Sequence, residues 1–450
     1  MSKEQVINKL LQKVDIEKVA ALAEQVDLNQ VIKVLSKMKP QDLAQMMQQL
    51  NGQGQKTPAA PPINSDFYEI RDSLTEDDKA KLARVRQFME TEVRPVINEY
   101  WDKGEFPYEL VPKVAQMINE TIGEGAYCFP HPNPLLMGMH FVEMARVDPS
   151  ITTFFGVHWG LCMGSIYMFG SEEQKAKWLP PMQRFEKIGS WALTEPEVGS
   201  AAAAGLMTTA RREGDTWVIN GQKKWSGNAT FAQVNVIWAR DLADNQVKGF
   251  LVELGTPGYT VEKLHGKIAK RVVENVLITL TDCRVTEASR LPGVNSFRDV
   301  SRQLGLARSG VAWEAMGIAQ GAYEHALNYA NNRQQFGRPI AAFQLVQHGL
   351  VQMLANITAM QTMLLRLAQM EIKHGKVSHE QASLAKMFCS EKMREVVATA
   401  RGLLGGNGIL LEYEVARLFA DAEAVYSYEG THEMNTLIVG RAITGQSAFV

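Results

Sequence analysis

Thr216-Trp217-Val218-Ile219, Val234-Asn235-Val236-Ile237-Trp238 and Val276-Leu277-Ile278-Thr279-Leu280 are short runs rich in β-branched and aromatic residues. Gly214-Asp215, Asn220-Gly221 and Pro257-Gly258 punctuate them, and each pair is a turn signal. Together they predict a β segment over residues 186–298. The apolar period changes on both sides of it. Leu82, Val85, Phe88 and Met89 share one helical face, and Val111, Val114, Ala115 and Ile118 share another, so residues 64–185 read as a helical domain. Beyond 298 the chain reads as long helices, roughly 301–332, 341–375, 378–403 and 413–445, a helical domain over 299–450. Strands do not alternate with helices, which disfavours a doubly wound nucleotide fold.

Residues 1–50 read as a small helical module: Val14-Asp15-Ile16, Val26-Asp27-Leu28 and Pro40-Gln41-Asp42 each open an apolar-periodic run with a capping acid. Residues 51–63, Gly-, Gln- and Pro-rich, read as a linker. The module is either a solubility appendage or a dock for an unknown protein.

Of 450 residues, 46% are hydrophobic, enough for a large core, and Lys plus Arg (47) nearly balances Asp plus Glu (49). That balance argues against nucleic acid as a partner. Cys128, Cys162, Cys283 and Cys389 are scattered, with neither zinc spacing nor a disulfide framework, so no metal is expected and a reducing compartment fits. The first arginine is Arg71 and acids come early, unlike a transit peptide; a cytoplasmic location is expected.

Phosphate-loop and zinc-helix patterns are absent. Trp191-Ala192-Leu193-Thr194-Glu195-Pro196-Glu197-Val198-Gly199-Ser200 offers a hydroxyl, backbone donors and an aromatic, suited to the edge of a polar ring system or simply to a strand and turn. Arg333-Gln334-Gln335-Phe336-Gly337 pairs a guanidinium with an aromatic, suited to a pyrophosphate and adenine or to an ordinary cationic helix end. Leu404-Gly405-Gly406-Asn407-Gly408 permits close backbone approach to a ligand, or a helix cap. In Tyr428-Glu429-Gly430-Thr431-His432-Glu433 a carboxylate stands on a short loop before the last helix, with apolar residues behind it. It is either a desolvated base or an exposed capping acid.

In this order the segments resemble the acyl-CoA dehydrogenase and oxidase superfamily over roughly residues 64–450, including Asn220-Gly221-Gln222-Lys223-Lys224-Trp225. The resemblance is strongest to the branch of glutaryl-CoA dehydrogenases and plant short-chain acyl-CoA oxidases. It implies an α+β multidomain fold: a helical N-domain, a β-barrel-like middle domain and a C-terminal four-helix bundle, assembled as a homotetramer. It implies FAD as cofactor, an acyl-CoA substrate, and an electron-transfer flavoprotein or O2 as acceptor. Carried over by position, Trp191, Leu193, Thr194, Ser200, Trp225, Gly227, Thr431 and Glu433 lie at FAD, and Arg333, Phe336, Gly405 and Gly406 reach a neighbour's FAD. Ser200, Thr152, Arg308, Tyr428 and Gly430 lie at the substrate, and Glu429 is the catalytic base. Some relatives place the base on another helix; the matching residue here is Ala307, which accepts no proton.

The implied reaction is α,β-dehydrogenation of a short-chain acyl-CoA, with the α-proton going to Glu429 and the β-hydrogen leaving as hydride to flavin N5. Three positions depart from the family pattern. Ala201 follows Gly-Ser where an Asp is common. Thr152, after Arg146-Val147-Asp148, stands where glutaryl-CoA dehydrogenases carry an arginine. Gly227 replaces a threonine that donates to flavin N5 in dehydrogenases, which points toward oxidase chemistry. A monooxygenase or nitroalkane oxidase on the same scaffold, and a non-catalytic assembly factor, are the other classes; the retained Glu429 argues against both.

Overall fold

The computed structural model describes residues 63–448 apart from Glu124 and Ala201, so the helical module and most of the linker read from the sequence lie outside the described residues. Helices α1 (Glu76–Phe88), α2 (Arg94–Lys103), α3 (Val111–Thr121), α4 (Pro134–Val147), α5 (Pro149–Phe155), α6 (Gly164–Phe169) and α7 (Glu172–Gln183) come first. The faces read from the sequence are the buried ones, Leu82, Val85, Phe88 and Met89, and Val114, Ala115 and Ile118, except that Val111 at the start of α3 is only half-buried. Between α5 and α6, Gly156–Met163 form a π-helical segment, a widened turn common at functional sites and not visible in the apolar period.

The middle of the chain forms β1 (Gly189–Ala192), a short helix α8 (Ala202–Gly205), and β2 (Thr209–Glu213), β3 (Thr216–Ser226), β4 (Val234–Asp241), β5 (Val247–Glu253), β6 (Tyr259–Lys263) and β7 (Val276–Thr286). They make one seven-stranded sheet in the order β1-β4-β2-β3-β7-β6, with β5 on β4. β4 is apolar on both faces because it is buried on both: Val234, Val236 and Trp238 join the helical core, while Ile237 and Ala239 join the core inside the sheet. The Asn220-Gly221 turn expected from the sequence is instead a bulge inside β3, where the register to β7 shifts between Ile219 and Gly221. Asn-Gly tolerates positive φ in either setting, and Gly221 has φ 143°.

α9 (Phe297–Asn332) follows, opened by a capping box of Ser296 and Asp299. A small hairpin, β8 (Gln334–Gln335) and β9 (Arg338–Pro339), leads to α10 (Gln344–His374), α11 (His379–Leu403), α12 (Val415–Ser427) and α13 (His432–Thr444). The helix read over 413–445 is thus two helices, broken at Tyr428–Thr431. α9 is the central column, packed on α11 and α4. A Cβ at Gly317 would lie 2.5 Å from the Val142 carbonyl oxygen, and one at Gly321 would lie 2.2 Å from that of Arg146. Backbone therefore meets backbone between α9 and α4. Among the described residues no helix is long and apolar enough to cross a membrane.

Candidate active site

A cleft of about 2,320 Å³ opens between the sheet, the π-helical segment, α9 and the loop before α13. Of the residues singled out in the sequence, Trp191, Leu193, Thr194, Ser200, Trp225 and Gly227 line it from the middle of the chain. Thr152, Arg308, Tyr428, Glu429, Gly430 and Thr431 line it from the helical parts. Arg333, Phe336, Gly405, Gly406 and Glu433 are not in its wall. They are solvent-exposed, and Phe336, on the β8–β9 hairpin, is 93% exposed.

The strand side is held rigidly. Glu195 and Lys223 form a buried pair at 2.8 Å; the carboxylate also accepts from Met207 N at 2.6 Å and Thr208 N at 2.8 Å, and Lys223 Nζ donates to the Leu193 carbonyl at 3.1 Å. Burial pushes Lys223 down to about 8 despite its partner. Lys224 N donates to the Thr194 carbonyl at 2.8 Å, which joins the Leu193–Thr194 segment to the end of β3. There the register shifts at Trp225, whose φ is 75°, and the indole is left half-exposed over the cleft. Beside it the Ser226 Oγ is buried without a partner among the described residues.

The loop before α13 combines two consecutive left-handed residues, Glu429 (φ 53°) and Gly430 (φ 83°). A Cβ at Gly430 would lie 3.2 Å from Asn435 Nδ2 in a conformation that already favours glycine. Three side chains hold the loop by its carbonyls. Asn435 Nδ2 donates to Gly430 O at 2.8 Å, Lys386 Nζ to Gly430 O at 2.9 Å and Tyr426 O at 2.8 Å, and Arg308 Nε to Glu429 O at 3.3 Å. Thr431 caps α13 by accepting from Met434 N at 3.2 Å. The Glu429 carboxyl has no such anchor: its Oε2 is buried without a hydrogen-bond partner among the described residues. Burial pushes it up to about 6, against the pull of Arg308 and Lys386 and with a further push from Glu314.

Arg308 is buried and makes no ion pair among the described residues; its NH1 reaches only Ser383 Oγ, at 3.5 Å. Thr152 gives its hydroxyl to the Asp148 carbonyl at 3.0 Å, a bond along its own helix. Arg146 and Asp148 on either side of Val147 are structural: Arg146 pairs with Glu90, Glu143 and Glu324, and Asp148 pairs with Arg417 at 2.6 Å. Ala307 lines the cleft and supplies no second carboxylate. Sequence reading missed Ser226, Lys270, Glu314, Lys386 and Asn435. Only Ser226, between Trp225 and Gly227, carried a signal; the others gather around the base loop, Lys270 by way of Glu314, only in the fold.

Three family profiles cover most of the chain: "Acyl-CoA dehydrogenase, N-terminal domain" over residues 75–186, the middle domain over 190–283, and the C-terminal domain over 297–444. The human mitochondrial short-chain specific acyl-CoA dehydrogenase is 33% identical over 81% of this chain and 90% of that protein. A glutaryl-CoA dehydrogenase of Mycobacterium smegmatis, solved in complex with FADH2, is 32% identical with a TM-score of 0.82, covering 85% of this chain and 98% of that one. Butyryl-CoA dehydrogenase of Megasphaera elsdenii is 29% identical with a TM-score of 0.76, covering 82% and 98%.

Proposed function

The chain belongs to the acyl-CoA dehydrogenase family, FAD-dependent oxidoreductases acting on CH–CH donors, and from that premise we propose that it dehydrogenates a short-chain acyl-CoA at its α and β carbons with Glu429 as the base. The observation that carries this reading is the Glu429 carboxyl, which faces the cleft with one oxygen unpartnered and is pushed up to about 6. An α-proton beside a thioester is weakly acidic, so the acceptor must be basic yet ionised near neutrality, and such a carboxylate is both. No ion pair has to break before it accepts. The Glu429 backbone N–H is the chain's donor to the thioester oxygen, whose charge grows as the proton leaves.

The residues in the cleft fit FAD. The half-exposed Trp225 indole, the unpartnered Ser226 Oγ and the fixed Leu193–Thr194 backbone suit a flat ring with a polar edge, with Trp191, Ser200, Gly227 and Thr431 completing the wall. FAD held there would supply a two-electron acceptor for the β-hydrogen. Arg333, Phe336, Gly405 and Gly406, exposed and off the cleft, suit a site completed by a neighbouring copy in a homotetramer, and Glu433 sits on the first turn of α13. Butyryl-CoA should bleach the visible flavin band, and Glu429→Gln should slow that bleaching roughly a thousandfold with FAD content unchanged. Bleaching by the variant at near wild-type rate would sink the assignment.

The acceptor proposed is an electron-transfer flavoprotein. Gly227 favours a second reading, direct reaction with O2. A Cβ there would meet only Val273 Cγ1 at 3.3 Å and Val157 Cγ2 at 3.7 Å, so the glycine leaves a small apolar recess. Stopped-flow reoxidation of substrate-reduced enzyme in aerated buffer separates the two. Fast reoxidation that Gly227→Thr slows supports the oxidase; equally slow reoxidation in both proteins rejects it.

A further inference from the structure

The cleft holds a second charged cluster that has no part in binding or catalysis so far beyond the push of Glu314 on Glu429. Lys270 and Glu314 are both buried, line the cleft, and pair at 2.5 Å. Each polar atom of the pair is engaged. Lys270 Nζ also donates to the Pro149 carbonyl at 2.5 Å and to Thr153 Oγ1 at 2.9 Å. Glu314 takes Lys270 on Oε1 and the Tyr428 hydroxyl on Oε2, and Tyr428 directly precedes the base. Along α9, Ala307, Gly310, Val311 and Glu314 recur at the spacing of one helical face, and all four line the cleft. That wall starts apolar and, roughly 10 Å further along the helix, ends in the ion pair.

We propose that Lys270 and Glu314 close the acyl end of the cleft and restrict the enzyme to chains too short to reach them. This rests on Glu429 being the base, which fixes the α carbon beside the loop and leaves the α9 wall for the rest of the chain. A methylene tail reaching the pair finds no apolar partner. Displacing either residue breaks a buried pair and strands a charge. A polar or charged tail gains nothing either, since the pair is already saturated. A pair that is only a strut between α5, α9 and the segment before β7 would leave substrate ranking untouched when removed.

The full-length, FAD-loaded enzyme is assayed with butyryl-, hexanoyl- and octanoyl-CoA, as wild type and as the double variant Lys270→Met/Glu314→Leu, which removes both charges together. Wild type should prefer butyryl-CoA, and the octanoyl-to-butyryl ratio of kcat/KM should rise at least roughly tenfold in the double variant, the scale of methylene-level discrimination in pockets. If the double variant does not fold, binding of crotonyl-CoA and 2-octenoyl-CoA to wild type, read from the flavin spectrum, decides: roughly tenfold tighter crotonyl-CoA supports the proposal, and equal affinity overturns it. Equal turnover of the three substrates by wild type, or an unchanged ratio in a folded double variant, overturns the stopper and leaves the base reading standing. If no chain length bleaches the wild-type flavin, the base reading falls and the stopper falls with it.

Discussion

Glu143 on α4 and Glu429 in the loop before α13 are both carboxylates withdrawn from water, and their surroundings treat them oppositely. Three guanidiniums converge on the Glu143 carboxylate: Arg71, Arg86 with Nε at 2.8 Å, and Arg146 with Nε at 3.4 Å. Burial would push this acid up, but the arginines reverse that and hold it at about 2. Glu429 also has cations nearby, yet Arg308 and Lys386 give their N–H groups to backbone carbonyls of the loop, and burial prevails. What separates a structural acid from a basic one here is whether the neighbouring cations touch the carboxylate or only the chain that carries it.

The largest expected difference is in stability. Glu143→Ala leaves three arginines around an empty site and should cost about 3–5 kcal/mol in denaturant unfolding of the FAD-loaded protein. Glu429→Ala removes an unpartnered carboxyl whose ionisation opposes folding above pH 6, so at neutral pH it should cost nothing and return up to about 2 kcal/mol. Comparable losses in the two variants would break the contrast.

The pH dependences should run in opposite senses. For Glu143 the folded value lies below the ordinary 4.5, so its contribution is present above 4.5 and is lost as pH falls toward 2, on the order of 3 kcal/mol. For Glu429 the folded value lies above the ordinary 4.5, so stability falls as pH rises from 4.5 through 6, on the order of 2 kcal/mol, and Glu429→Gln should abolish that fall. Activity follows the same group: kcat/KM for butyryl-CoA should fall tenfold per unit as pH drops below about 6. Unfolding midpoints across pH, measured beside the rate profile, check both.

The smallest effect is the sharpest probe. Arg308 lowers the Glu429 value without touching the carboxylate, so Arg308→Gln should move the acid limb of the kcat/KM profile upward. A limb that stays in place would mean that the guanidinium acts only through the loop backbone.

The apolar period made the helical faces and the β segment legible, because Leu82, Val114 or Val236 answer to burial that the chain shows directly. Asn220-Gly221 misled because a turn and a bulge ask the same backbone freedom of the same residues. At the C-terminal end two sequence signals disagree: the helical period runs across 413–445, while the Glu429-Gly430 motif reads as a short loop before the last helix, and the chain does break at Tyr428–Thr431. Twelve of the residues singled out converge on one cleft, but the lysine and asparagine that hold the base loop and the Lys270–Glu314 pair could not be seen in advance. In a linear chain Lys270 and Glu314 are two ordinary charges 44 positions apart; only folding removes their water and makes them partners.

The contact at Gly317 and Gly321 bears on how such an enzyme diversifies. Where α4 and α9 already touch through their backbones they can draw no closer, so the cleft that Gly138 and Phe141 of α4 and Gly310 and Val311 of α9 line gains no room by sinking one helix into the other. A lineage built on this frame changes its diet by repainting the walls, residue by residue, rather than by widening the corridor.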